Sequence, residues 1–197
     1  MSIGVTLAIL YGGVLLFGGS HLLSILFPGL RDSFKAQMGG ASWKKLYAIV
    51  SLIGLVMIAV GYWGTRGGPL AADQLYQPPE WGRHAAMLFV LLGFILIGAS
   101  HGKGYLKKWL HNPMSIGVGL WAAGHLLANG KRTDVWIFGT FLVVSLADIV
   151  MSEFRGKRPI HEPRLRSDII AVIVGMVLYV IFLFGFHPYV LNFPIVQ

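Results

Sequence analysis

Apolar residues run along this chain in six blocks separated by short clusters of charge, Gly and Pro, and the blocks predict helices over residues 3–26, 44–63, 84–100, 113–129, 134–152 and 168–187. Several reach the ~17 to 25 residues a helix needs to cross a hydrocarbon core, and none shows the alternation of a half-buried strand. The predicted fold is all-α, a polytopic membrane helix bundle of about six transmembrane helices in one domain over 1–197. The fourth block is short, but Asn112-Pro113 offers an N-cap followed by Pro at the first helical position, and Asn129-Gly130 offers a stop.

Composition supports the same reading. Hydrophobic residues make up 55% of the chain and charged residues 12%, where soluble domains carry about a quarter. The absence of Cys excludes disulfides, thiolate metal sites, Cys nucleophiles and covalent c-type haem attachment. A formal charge of +8 would suggest nucleic acid in a soluble protein, but here the basic residues flank apolar blocks and report topology, so no nucleic-acid partner is expected. Arg31, Lys35, Lys44 and Lys45, then Lys103, Lys107 and Lys108, then Arg155, Lys157, Arg158, Arg164 and Arg166 lie in alternate loops. The positive-inside rule then puts these loops in the cytoplasm and both termini outside. The second loop, with Tyr76 and Trp81, suits an irregular segment at headgroup depth, and residues 153–167 are the expected flexible part.

Ionisable groups within a bilayer are costly unless paired or ligated, so His21 and His125, the deepest histidines, are candidates for function. Gly18 and Gly19 beside His21 would admit a neighbouring helix or flat cofactor. Two neutral imidazoles on facing helices are what a b-type haem needs, which makes His21 and His125 hypothetical ligands of a haem iron; the alternative is that each bonds a carbonyl or hydroxyl in a packed bundle. His84 and His187 form a possible outer cluster with His125 for a metal or for proton exchange, His111 and His101 border the inner face, and His161 is expected to be solvated. Asp148 is the one acidic group placed within a span, either ion-paired with an inner-side cation or part of a proton relay. Catalytic residues are not identified, and no soluble-enzyme motif of the phosphate-loop, nucleophile-elbow or zincin kind occurs.

The block HNPMSIGVGLWAAGHLLANG, together with His21, the Tyr47 to Ser51 segment, Gly61-Tyr62, the Gln77-Pro78-Pro79-Glu80-Trp81 loop, Phe138-Gly139 and His187-Pro188, resembles the NnrU family of bacterial membrane proteins. Relatives of that family include the plant 15-cis-zeta-carotene isomerase. The resemblance implies an accessory role for nitrite and nitric oxide reductase machinery in denitrification. Alternatively it implies haem-dependent cis-trans isomerisation of a carotenoid-like polyene, with haem b held by the residues that match His21 and His125. A small transporter is a third possibility, disfavoured by the scarcity of intramembrane charge. Two departures stand out: Asn112 occupies a place where the family usually has His, and Ala122 one where the isomerase has Cys. Ligand switching on a thiolate is therefore not implied.

Overall fold

Ser2 caps the first helix, its hydroxyl accepting from the Val5 amide at 3.4 Å, and α1 then runs from Ile3 to Leu26 until Pro28 forces a break. Pro28 reopens the chain at the first position of α2 (Pro28–Met38), and Gly39, at φ +79°, turns it into α3 (Gly40–Thr65). After a 3₁₀ turn at Gly68–Ala72 come α4 (Gly82–Ser100), α5 (Tyr105–Leu110), α6 (Pro113–Ala128), α7 (Arg132–Phe154) and α8 (Leu165–Ile181), which continues as a π-helix over Phe182–Val190. This computed structural model describes residues 1–66 and 68–191; Gly67 of the second loop and residues 192–197, the tail assigned to the outside, lie beyond the described residues. Among the described residues there is no strand, only an isolated bridge, so the all-α expectation holds.

Five of these helices, counting α8 with its π extension, are long and apolar enough to span a bilayer, and the chain is a multi-pass membrane protein. The helix α6, at 16 residues, is the short one. Its start is as expected: the Asn112 side chain accepts from the Ser115 amide at 3.3 Å, and Pro113 occupies the first turn. Residues 28–38, read as loop, form a helix instead. Leu30, Phe34 and Met38 recur every four residues, which gives α2 an apolar stripe beside Arg31 and Lys35.

The contacts gather into two units. In the first, Met1–Pro78 with Asn129–Met151, α1 crosses α3 where glycines replace side chains. A Cβ on Gly13 would lie 2.7 Å from the Ile58 amide nitrogen, and one on Gly61 would lie 2.6 Å from the Leu10 backbone. Such close approach maximises dispersion contact, the main association force between helices in lipid. Leu10, Val14, Ile58 and Ile137 form the core, with Tyr11 edge-on to Trp136 and Phe17 against Phe141. The second loop is pinned to the start of α7: the Leu75 amide donates to the Gly130 carbonyl at 2.8 Å, the Tyr76 hydroxyl to the Asn129 carbonyl at 2.9 Å, and Arg132 pairs with Asp73 at 2.8 Å.

In the second unit, Pro79–Ala128 with Ser152–Gln197, α4 packs against both α6 and α8. Gly93 and Gly117 face one another, each leaving room only for the other's carbonyl, and Gly98 of α4 and Gly175 of α8 make the close approaches between those two helices. The helix expected to run to residue 187 stops being α-helical at Ile181. Pro188 is the cause: it has no N–H and its ring crowds the carbonyl four residues back, so the turn widens and the Leu191 amide reaches the Phe186 carbonyl at 3.1 Å. The segment expected to be flexible is tied down through the Arg164 amide, which donates to the Lys103 carbonyl at 2.8 Å.

Candidate functional site

Three histidines in the spans share one local arrangement. In α1 the His21 Nδ1 lies 2.8 Å from the Phe17 carbonyl, in α6 the His125 Nδ1 lies 2.8 Å from the Trp121 carbonyl, and in the π-helix the His187 Nδ1 lies 2.7 Å from the Phe182 carbonyl. A carbonyl only accepts, so in each ring Nδ1 carries the proton and Nε2 carries the lone pair. The first two come from the same kind of segment, an aromatic followed by three small residues and the histidine: Phe17-Gly-Gly-Ser-His21 and Trp121-Ala-Ala-Gly-His125. The small residues let neighbouring helices close in, and the aromatic braces the imidazole, at ring-centre distances of 4.2 Å for Phe17 and 4.8 Å for Trp121.

Around His21, α3 contributes Tyr47, whose ring centre is 5.2 Å away, and the Asp148 carboxylate of α7 acts electrostatically on both His21 and Tyr47. The sequence placed Asp148 alone within a span. It did not foresee the company of Tyr47 or the burial of Asp134, the first residue of the expected span 134–152, which is 2% exposed. Asp134 sits in the first turn of α7, and its Oδ1 has no hydrogen-bond partner among the described residues. Of the two glycines beside His21, Gly18 is closed by Thr140 and Gly19 faces open space. At the loop above, partial burial, then the Asp134 charge, push the Tyr76 hydroxyl above its usual range, so it remains protonated and donating through neutral pH.

In the second unit His187 comes to His125, their ring centres 6.4 Å apart and their planes 20° from parallel. His84, expected to join them, is exposed on the first turn of α4. His111 is the central residue of a γ-turn, with φ +60° and the Asn112 amide donating to the Leu110 carbonyl at 2.6 Å. That conformation is strained for a residue with a Cβ, and the bond from His111 Nδ1 to Glu153 at 2.8 Å holds it, with Arg158 on the other oxygen of Glu153. His111 thus sets the entry into α6. His161, expected to be solvated, bonds the Gly104 carbonyl at 3.1 Å.

Asp168, the first residue of the expected span 168–187, is buried in the first turn of α8. Its two oxygens accept from the Tyr105 and Leu106 amides at 2.7 and 3.2 Å, so one helix supplies the N-terminal cap of another. Asp168→Ala is expected to cost about 0.5–2 kcal/mol, the range for a lost cap, read as a lower melting temperature of the purified protein. An unchanged melt would mean that water satisfies those amides. Among the described residues no three His, Asp or Glu side chains converge on a metal-sized site.

The family model for NnrU protein matches residues 9–195, a range that contains His21, His125 and His187. No curated protein and no solved structure matches the chain.

Proposed function

Because the chain belongs to the NnrU family, we propose that this membrane protein carries a b-type haem with His21 and His125 as its ligands and supports nitrite and nitric oxide reductase function in the bacterial inner membrane. The observation that carries the haem reading is the shared tautomer. Nδ1–H donation to a backbone carbonyl is the usual outer bond of a ligating histidine; it fixes the ring and raises the basicity of Nε2. A haem so held would supply one-electron redox chemistry, while the chain's own residues orient the imidazoles and exclude water. An accessory role needs no substrate turnover, in keeping with the absence of a recognisable catalytic motif.

The pair His125 and His187 favours a second ligand assignment. Their ring centres are 6.4 Å apart, near enough for both imidazoles to serve one metal centre.

The test is the absorption spectrum of detergent-purified protein, oxidised and then reduced with dithionite. The expected result is a low-spin b-type haem spectrum, and protein saturated with haem precursor during expression yet colourless would overturn the reading. For the accessory role, deletion of the gene is expected to lower nitrite and nitric oxide reductase activity in whole cells, and unchanged activities would count against it. The orientation is tested separately. Reporters fused after Lys45, Lys108 or Arg164 are expected to report the cytoplasm, and a C-terminal fusion the outside. At 1.5 Å per residue α6 is about 24 Å long, short of the ~30 Å core, so a cytoplasmic C-terminus would show that α6 does not cross.

A further inference from the structure

A groove of about 160 Å³ opens between α1, α2 and α3. Leu23, Leu30, Phe34, Leu46 and Val50 give it apolar walls, and Arg31 stands among the lining residues as the only charged one. Its volume is below the ~300–1,000 Å³ of sites that enclose a small molecule, so it suits a strip of a longer apolar chain. Depth limits the occupant further. The 24 residues of α1 cover about 36 Å, slightly more than a hydrocarbon core of ~30 Å, and Arg31 follows five residues after its end. A guanidinium there lies at the level of lipid phosphates.

The surrounding charge is one-sided. Lys35 is one turn beyond Arg31 on the same face of α2, Lys44 and Lys45 open α3, and Asp32 is the sole acid between α1 and the end of α3. Asp32 engages Arg31 through Nε and Nη2, at 2.9 and 3.2 Å, which leaves Nη1 to another acceptor. That pair is half in solvent and weakly held. Phe34 stacks on Trp43 with ring centres 6.0 Å apart and planes at 7°, tying α2 to the first turn of α3 beside the groove.

We propose that this groove is a binding site for an anionic phospholipid, one acyl chain lying along Leu23, Leu30, Leu46 and Val50 and the phosphate held by Arg31 and Lys35. A free phosphate would leave the apolar walls uncovered, and a neutral polyene would leave the cations uncovered. Tyr47 belongs both to the wall of the groove and to the contacts of His21, so the lipid borders the candidate ligand without depending on it.

Trp43 lines the groove and serves as the probe. The full-length protein is reconstituted into phosphatidylcholine vesicles that contain, as an equal minor component, either phosphatidylglycerol or phosphatidylcholine brominated on an acyl chain. The Trp43 signal is the difference between wild type and Trp43→Phe. Brominated phosphatidylglycerol is expected to quench it at lower mole fraction than brominated phosphatidylcholine. The preference is expected to fall about fivefold for each cation removed in Arg31→Gln and Lys35→Gln, and to survive in Arg31→Lys. Equal quenching by the two lipids overturns the proposal. So does a preference that persists in the double variant with unchanged circular dichroism, or displacement of both lipids by a carotenoid in preference to unlabelled phosphatidylglycerol.

Discussion

Replacing His125 with alanine is expected to remove the six-coordinate low-spin haem spectrum from the purified protein, and replacing His21 is expected to do the same. Both rings present Nε2 as the lone-pair nitrogen because Nδ1 is committed to a carbonyl one turn back. Alanine removes the lone pair without touching that carbonyl, so the chain would hold the group through one imidazole fewer. His84→Ala is the control, since that ring stands exposed on α4. His161→Ala also leaves the spectrum intact but is expected to lower stability, because the ring bonds the Gly104 carbonyl beside the cap of α5. The variant that separates the two ligand assignments is His187→Ala. With His21 as the partner of His125 the low-spin bands persist in His187→Ala; with His187 as the partner they vanish there and persist in His21→Ala. If none of the three changes alters the bands, haem is held elsewhere and the histidines only satisfy the carbonyls of Phe17, Trp121 and Phe182.

The spans were legible because lipid demands long apolar runs, and a run of that length leaves few alternatives to a helix. The entry into α6 was legible as well, since Asn-Pro combines a side-chain acceptor with a preset φ, and both are used as expected. The helix α2 was not, because Pro28, Gly39 and a cluster of charges in residues 28–45 look like loop punctuation. Its signal was the fourfold spacing of Leu30, Phe34 and Met38, which a search for membrane-length runs passes over. Asp134 and Asp168 open two of the expected spans, but their burial was not foreseen, for a related reason. Hydropathy treats a carboxylate as a loop marker, whereas the first turn of a helix offers unpaired amides and a positive dipole end that accept one in a buried place. The last span was expected to end at residue 187, before Pro188, but not to widen into a π-helix from Phe182. The approach of His187 to His125 was expected from their shared outer depth, whereas the packing of α6 and α8 on α4 that brings it about is set by glycines spaced along three helices, a pattern no local reading resolves.

Those glycines carry the second large expected effect. Gly117→Ala would place a Cβ 2.6 Å from the Gly93 carbonyl and 3.0 Å from the Ile97 side chain, and Gly93→Ala would place one 2.7 Å from the Gly117 carbonyl. The obstacle in each case is backbone in a packed helix, which cannot rotate aside as a side-chain tip does. The helices must separate or slide, and overpacking of this kind typically costs about 1–3 kcal/mol. The counterpart is Gly139 in α7, around which nothing stands within 4 Å of an added Cβ. There the substitution only improves helix propensity, by up to about 1 kcal/mol. Thermal unfolding of the three variants in one detergent is therefore expected to show two early melts and one unchanged or late. Equal melts for Gly117→Ala and Gly139→Ala would mean that α4 and α6 are not in backbone contact. Because His125 lies about two turns beyond Gly117 on α6, displacement at the crossing also moves its imidazole. The low-spin spectrum of Gly117→Ala is accordingly expected to weaken below the melting temperature, whereas that of Gly139→Ala should match wild type.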